Sequence, residues 1–134
     1  MHKSKTQIRV RYAETDQMGV VYHGNFATYF EVARVEALRQ LGLTYKGFEE
    51  KGIIMPVLKL TVNFNKPAKY DDLLTIETTI EKLPLVKMTF YFKVFNEKND
   101  LLCTGETILA FIDKATNKPT SCPKELLDKL KESF

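Results

Sequence analysis

Asp16, Gly19 and His23 stand in the run Thr15-Asp16-Gln17-Met18-Gly19-Val20-Val21-Tyr22-His23, directly ahead of a long amphipathic segment that closes at Gly42. A carboxylate can act as a base or as a nucleophile. A helix start offers unpaired backbone N–H groups and the positive end of the helix dipole, which suit a developing oxyanion or a polarised carbonyl. Asp16 just upstream of such a start therefore marks the stretch 9–42 as the candidate site. By residue type alone the plainer expectation is that Asp16 caps a turn, as loop aspartates do.

The flanking elements follow from periodicity. Residues Gln7 to Tyr12 alternate, with Ile8, Val10 and Tyr12 on one face, as in a half-buried strand. The polar run after it ends in Gly19, which is free to take a positive φ and turn the chain. From Asn25 to Leu41 the apolar positions Phe26, Phe30, Ala33, Ala37 and Leu41 recur every three or four residues. At about 100° per residue they form one stripe roughly 80° wide, a core-facing helix. Tyr29, Val32, Val35 and Leu38 lie off that stripe, so the helix is expected to be contacted on more than one side. Asn25 suits the N-cap, Gly42 suits the helix end, and 43–51 reads as a short connector.

Strand follows strand in the second half. Leu58, Leu60, Val62 and Phe64 alternate with polar residues, as do Leu74, Ile76, Thr78 and Ile80, and then Met88, Phe90, Phe92 and Val94. Asn96 to Asp100 forms a hairpin turn. A last strand, Leu101 to Ile112, contains Gly105 as a possible bulge, and Pro123 opens a short helix over Lys124–Lys131. One strand, one long helix and about four antiparallel strands predict a single α+β domain over 1–134, with a twisted sheet around a central helix. Its open edges are most simply buried by dimerisation.

Composition narrows the function. The 134 residues are 44% hydrophobic and 28% charged, ordinary for one globular domain with its own core. A net charge of +3 is too dispersed to argue for nucleic acid, yet it would not repel an anionic ligand. Cys103 and Cys122 are far apart and lack metal-ligand spacing, which predicts reduced thiols and a cytoplasmic protein. The polar N-terminus lacks the apolar core of a signal peptide, and no run approaches the roughly 18 apolar residues of a membrane span.

The run Thr15-Asp16-x-x-Gly19-Val20-Val21-Tyr22-His23, with Asn25-Phe26 and Tyr29-Phe30-Glu31 after it, resembles the hot-dog-fold acyl-CoA thioesterases of the 4-hydroxybenzoyl-CoA thioesterase family, most closely the Tol–Pal-associated subgroup. Pro67-Ala68-x-Tyr70-Asp71-Asp72 is similar to that family's turn, and the resemblance spans nearly the whole chain. Phe26 stands where tyrosine is frequent, and Gln17-Met18 where smaller residues are.

What the resemblance implies is a long helix wrapped by a five- or six-stranded antiparallel sheet, assembled as a homodimer or homotetramer with sites at the interface. It places the catalytic carboxylate on Asp16 and the carbonyl-polarising amide at about His23. Asp16 would attack directly, giving a mixed anhydride, or activate water. The His23 imidazole is a candidate acid for the leaving thiolate, with an ordinary helix-start histidine as the competing reading. Gly19, Tyr22 and Asn25 are candidate substrate contacts, against turn formation, packing and capping. Glu31, the residue type that another clade uses on its helix, reads as structural and paired with Arg34. Lys66 and Lys87 are candidate contacts to coenzyme A phosphates. The implied reaction is hydrolysis of acyl-CoA to free acid and CoA without metal or redox cofactor. The rivals are a hydratase or dehydratase of acyl thioesters and a non-catalytic acyl-CoA-binding module.

Overall fold

The computed structural model describes all residues 1–134. Its main sheet has five strands: β1 (His2–Arg9), β3 (Val57–Phe64), β4 (Leu73–Ile80), β5 (Lys87–Phe95) and β6 (Leu101–Ala110). They run antiparallel in the order β1-β4-β5-β6-β3. The long helix α1 (Asn25–Gln40) contacts β1 and β4 of this sheet. It is the α+β hot-dog arrangement, with five strands in the main sheet.

The registers explain the core. Val94, Phe92, Phe90 and Met88 lie opposite Cys103, Gly105, Thr107 and Leu109, so one face of β5 and β6 is buried throughout. Leu74, Ile76, Thr78 and Ile80 extend that face across β4. Against it α1 buries Phe26, Tyr29, Phe30, Ala33, Ala37 and Leu38. Of the residues off the predicted stripe, Tyr29 and Leu38 are buried, whereas Val35 is half-buried and Val32 is exposed, so within the chain the expected multi-sided contact holds for only part of the helix.

Several local expectations are corrected. The first strand starts at His2, and Tyr12 leaves it to open a 3-10 turn (Tyr12–Glu14), 78% exposed. Gly24, not Asn25, caps α1. The expected connector holds a helix, α2 (Tyr45–Glu50), capped by the Thr44 hydroxyl, which accepts from Gly47 N–H at 2.9 Å. Gly105 is in regular register and marks no bulge, while the irregularities fall at Val57/Lys59 and Val94/Phe95. The last long strand stops at Ala110, and β2 (Ile53–Ile54), β7 (Ile112–Asp113) and β8 (Lys118–Pro119) form a small second sheet. Helix α3 (Lys124–Lys131) follows Pro123 as expected and buries Leu126 and Leu130. The ion pair on α1 joins Glu36 to Arg39, not Glu31 to Arg34. Arg34 instead lies near Tyr45, whose hydroxyl burial pushes up to about 12.

The edge strand β3 departs most from its predicted half-buried character. Val57, Leu58, Leu60 and Phe64 are each between 43% and 55% exposed. A row of exposed apolar side chains on an unpaired edge is unusual for a free-standing surface.

Candidate active site

The loop between Asp16 and Val20 is closed by its own backbone. Asp16 N–H donates to Val20 C=O at 2.8 Å, and Gly19 N–H donates to Asp16 C=O at 3.0 Å. Gly19 takes φ +78°, a conformation that glycine adopts without steric cost, so the turn can be this tight. One carboxylate oxygen of Asp16, Oδ1, accepts from Met18 N–H at 2.8 Å and from Val20 N–H at 3.4 Å. Oδ2 has no protein partner. Asp16 is thus both a turn-forming aspartate and a partly exposed carboxylate held in one orientation.

After the loop the chain is pinned twice more. Val21 N–H donates to Ala68 C=O at 2.8 Å, which fixes it against the Pro67-Ala68 turn, and Tyr22 N–H donates to Glu14 C=O at 2.9 Å. The turn is braced by the Asp72 carboxylate, which accepts from Lys69 N–H at 2.9 Å. The next two backbone donors, the N–H groups of His23 and Gly24, have no acceptor in the protein, and the α1 cap supplies no side chain to them. They are the pair of free donors that a helix start is expected to offer. The Tyr22 ring leans on the His23 ring, with centroids 4.3 Å apart, and passes so close to Gly24 that a Cβ there would lie 2.8 Å from Tyr22 Cε2.

A cavity of about 250 Å³ opens beside this segment, walled by Val20, Val21, His23 and Phe26 on one side and by Phe64 to Ala68 on the other. Phe26 and Phe64 meet edge to face at 5.6 Å. Lys66 lines the cavity and lies 3.8 Å from the Asp100 carboxylate. Asn25 turns its side chain elsewhere, donating from Nδ2 to Glu14 C=O at 2.8 Å. Lys87 belongs to a different cavity, beside Leu85, Val86 and Tyr91 at the start of β5. Of the predicted residues, His23 and Lys66 line this cavity, Asp16, Gly19, Tyr22 and Asn25 stand on the adjoining segment outside its wall, and Lys87 lies apart. Cys103 and Cys122 are free and buried, and burial pushes both thiols up to about 12, which removes them as nucleophiles.

Glu14 and Arg11, neither of which the sequence pattern singles out, tie the segment together with Tyr29. Glu14 is buried, and its Oε1 accepts from Arg11 N–H at 2.8 Å and from the Tyr29 hydroxyl at 3.0 Å. Its Oε2 accepts from Arg11 Nε and Nη2 at 3.2 and 3.0 Å. Burial alone would raise the Glu14 pKa, but the Arg11 N–H, the Arg11 guanidinium and the Tyr29 hydroxyl outweigh it and hold the carboxyl below its ordinary value. Burial and Glu14 push the Tyr29 hydroxyl well above its usual range, so it remains a donor. The available signal was Tyr29 itself, a tyrosine on a core helix whose hydroxyl needs a partner.

Residues 10–130 match the thioesterase-like superfamily. The chain belongs to that superfamily. Among thioesterase-like relatives it is 35% identical over 128 residues to the putative acyl-CoA thioesterase YneP of Bacillus subtilis, covering 96% of this chain and 93% of the relative. It is 32% identical over 125 residues to the acyl-CoA thioester hydrolase YbgC of Escherichia coli, covering 93% of each. A solved DHNA-CoA thioesterase from Staphylococcus aureus superposes with a TM-score of 0.93 at 40% identity, over 99% of this chain and 91% of that one. No helix of this thioesterase-like chain is long and apolar enough to cross a membrane.

Proposed function

We propose that this protein is an acyl-CoA thioesterase, hydrolysing acyl-CoA to a carboxylic acid and CoA, with Asp16 and the start of α1 as its two working parts. The observation that carries the proposal is the free N–H pair of His23 and Gly24, held on the same hydrogen-bonded segment as the half-free carboxylate of Asp16. The relatives named as acyl-CoA thioesterases support it. The thioester carbonyl oxygen accepts from the helix-start N–H groups, which stabilise the tetrahedral oxyanion as it forms. Asp16 either attacks the carbonyl carbon, giving a mixed anhydride that water then cleaves, or takes a proton from the water that attacks. In both routes the C–S bond breaks, CoA leaves as thiolate and picks up a proton, and the acyl group gains a water oxygen.

The acyl group lies against Val20, Val21, Phe26 and Phe64, and Lys66 attracts the phosphates of CoA. Tyr22 and Gly19 shape the approach, while Asn25 serves it indirectly by holding Glu14 C=O. A hydratase would need a histidine paired with an acid, whereas the ring neighbour of His23 is Tyr22.

The chain works as a homodimer through the exposed edge β3, with a homotetramer as a further assembly of such pairs. Antiparallel pairing of two β3 edges sets the Val57 end of one copy beside the Phe64 end of the other, where the cavity opens. The same pairing brings the Lys87 end of the second copy's sheet toward the cleft, since Lys87 pairs with Ala110 and Leu109 with Val57. The protein acts in the cytoplasm, where its thiols stay reduced. The test is release of CoA, trapped by a thiol dye, from short, long and aromatic acyl-CoAs. Turnover of at least one class is expected, and no turnover of any would overturn the proposal.

A further inference from the structure

We infer that Glu14 is a positioning residue, a buried strut that fixes the Asp16 carboxylate relative to the helix-start N–H groups. The inference rests on the proposed roles of Asp16 and of the His23 and Gly24 amides.

Both working parts are attached to this one residue. Asp16 follows Glu14 by two positions. On the other side, Glu14 C=O accepts from Tyr22 N–H at 2.9 Å, one residue before the first free donor, and from Asn25 Nδ2 at 2.8 Å, on the first residue of α1. Glu14 itself is then held from both ends by its side chain: Arg11 grips it from the strand side with three N–H groups, and the Tyr29 hydroxyl grips it from the second turn of α1. The strand that delivers the carboxylate and the helix that delivers the amides are therefore cross-linked through a single buried carboxylate. A solvated loop acid gains nothing from such an arrangement, and burying a charge is unfavourable unless it is this fully paired. Misplacement of reacting groups by about 1 Å can cost on the order of 100-fold in rate, so a strut that sets their separation acts on the chemical step and not on affinity.

The Tyr29 hydroxyl is the most selective handle. Tyr29→Phe removes one hydrogen bond and keeps the ring packed edge to face on Phe26, 5.5 Å away. The expected result is a fall in kcat on the order of 10-fold with KM changed by less than twofold and the thermal midpoint nearly retained. Glu14→Gln keeps the shape but presents an amide to the Arg11 guanidinium, and kcat should fall further. Because the strut acts by placing Asp16, Tyr29→Phe should have no effect on the residual activity of Asp16→Asn. Full kcat in folded Tyr29→Phe, or the same fractional loss with and without Asp16, would overturn the inference. If Glu14→Gln does not fold, Tyr29→Phe and Arg11→Met still decide it. Full turnover by Asp16→Asn would instead sink the proposed function, which keeps the two failures distinct.

Discussion

The ring of Phe30 fills the space where a side chain at position 105 would stand. A Cβ on Gly105 would lie 2.2 Å from Phe30 Cε2 and 2.3 Å from Cζ, and the same ring stacks on Phe92 at 4.4 Å with planes 3° apart. The glycine lets α1 press onto the middle of β6, which is how the helix carrying the free amides is seated on the sheet. Gly105→Ala should therefore destabilise the fold by about 1–3 kcal/mol, the usual range for forced overpacking. Phe30→Leu added to it should recover part of that loss. Denaturant midpoints of the two variants check both statements.

The pairing of Glu14 with Arg11 and Tyr29 sets an acid limit. The Glu14 carboxyl is held below its ordinary value of 4.5, so its contribution to stability is full above about that pH and is lost as pH falls through the lower folded value. Thermal midpoints of the wild type should fall below pH 4.5 more steeply than those of Glu14→Gln. Parallel curves would show that this carboxylate is not the group being titrated.

Leu58 and Leu60 lie on the exposed edge proposed to pair with a second copy. Lysine at both positions blocks edge pairing and should convert the dimer to monomer by light scattering, with turnover falling in step. A dimer of unchanged mass would place the interface elsewhere.

Lys66 is exposed beside the cavity and is proposed to meet the CoA phosphates. Lys66→Ala should raise KM for acyl-CoA several-fold and leave KM for the matching acyl-pantetheine, which lacks the nucleotide, unchanged. Equal effects on both substrates would assign Lys66 to the acyl cleft.

Much of this architecture is legible in the sequence because it rests on periodicity. The stripe on α1 and the alternation of β4 and β5 each report one buried face. The first half of β1 is hidden because its inward positions, His2, Ser4 and Thr6, are polar and only half-buried at the sheet edge. Helix α2 is hidden because six residues containing a glycine carry too little pattern, and its start depends on the Thr44 cap. Asp16 and His23 are visible through their spacing ahead of a helix. Glu14 is not, since its partner Tyr29 is brought to it only by the fold, and in the sequence it is one more acid in a polar loop. Lys66, beside the Pro67-Ala68 turn, and Lys87, at a strand start, are equally plain lysines in the sequence, and only the fold sets them in different cavities.

The most direct measurement is the rate of CoA release from a good acyl-CoA substrate by wild type and by Asp16→Asn, each confirmed folded. Loss of the carboxylate should lower kcat by on the order of 100- to 10,000-fold, the range for removing a group that attacks or moves a proton in the transition state. A folded Asp16→Asn enzyme within about twofold of wild type, a change of less than about 0.5 kcal/mol in the barrier, would contradict the account.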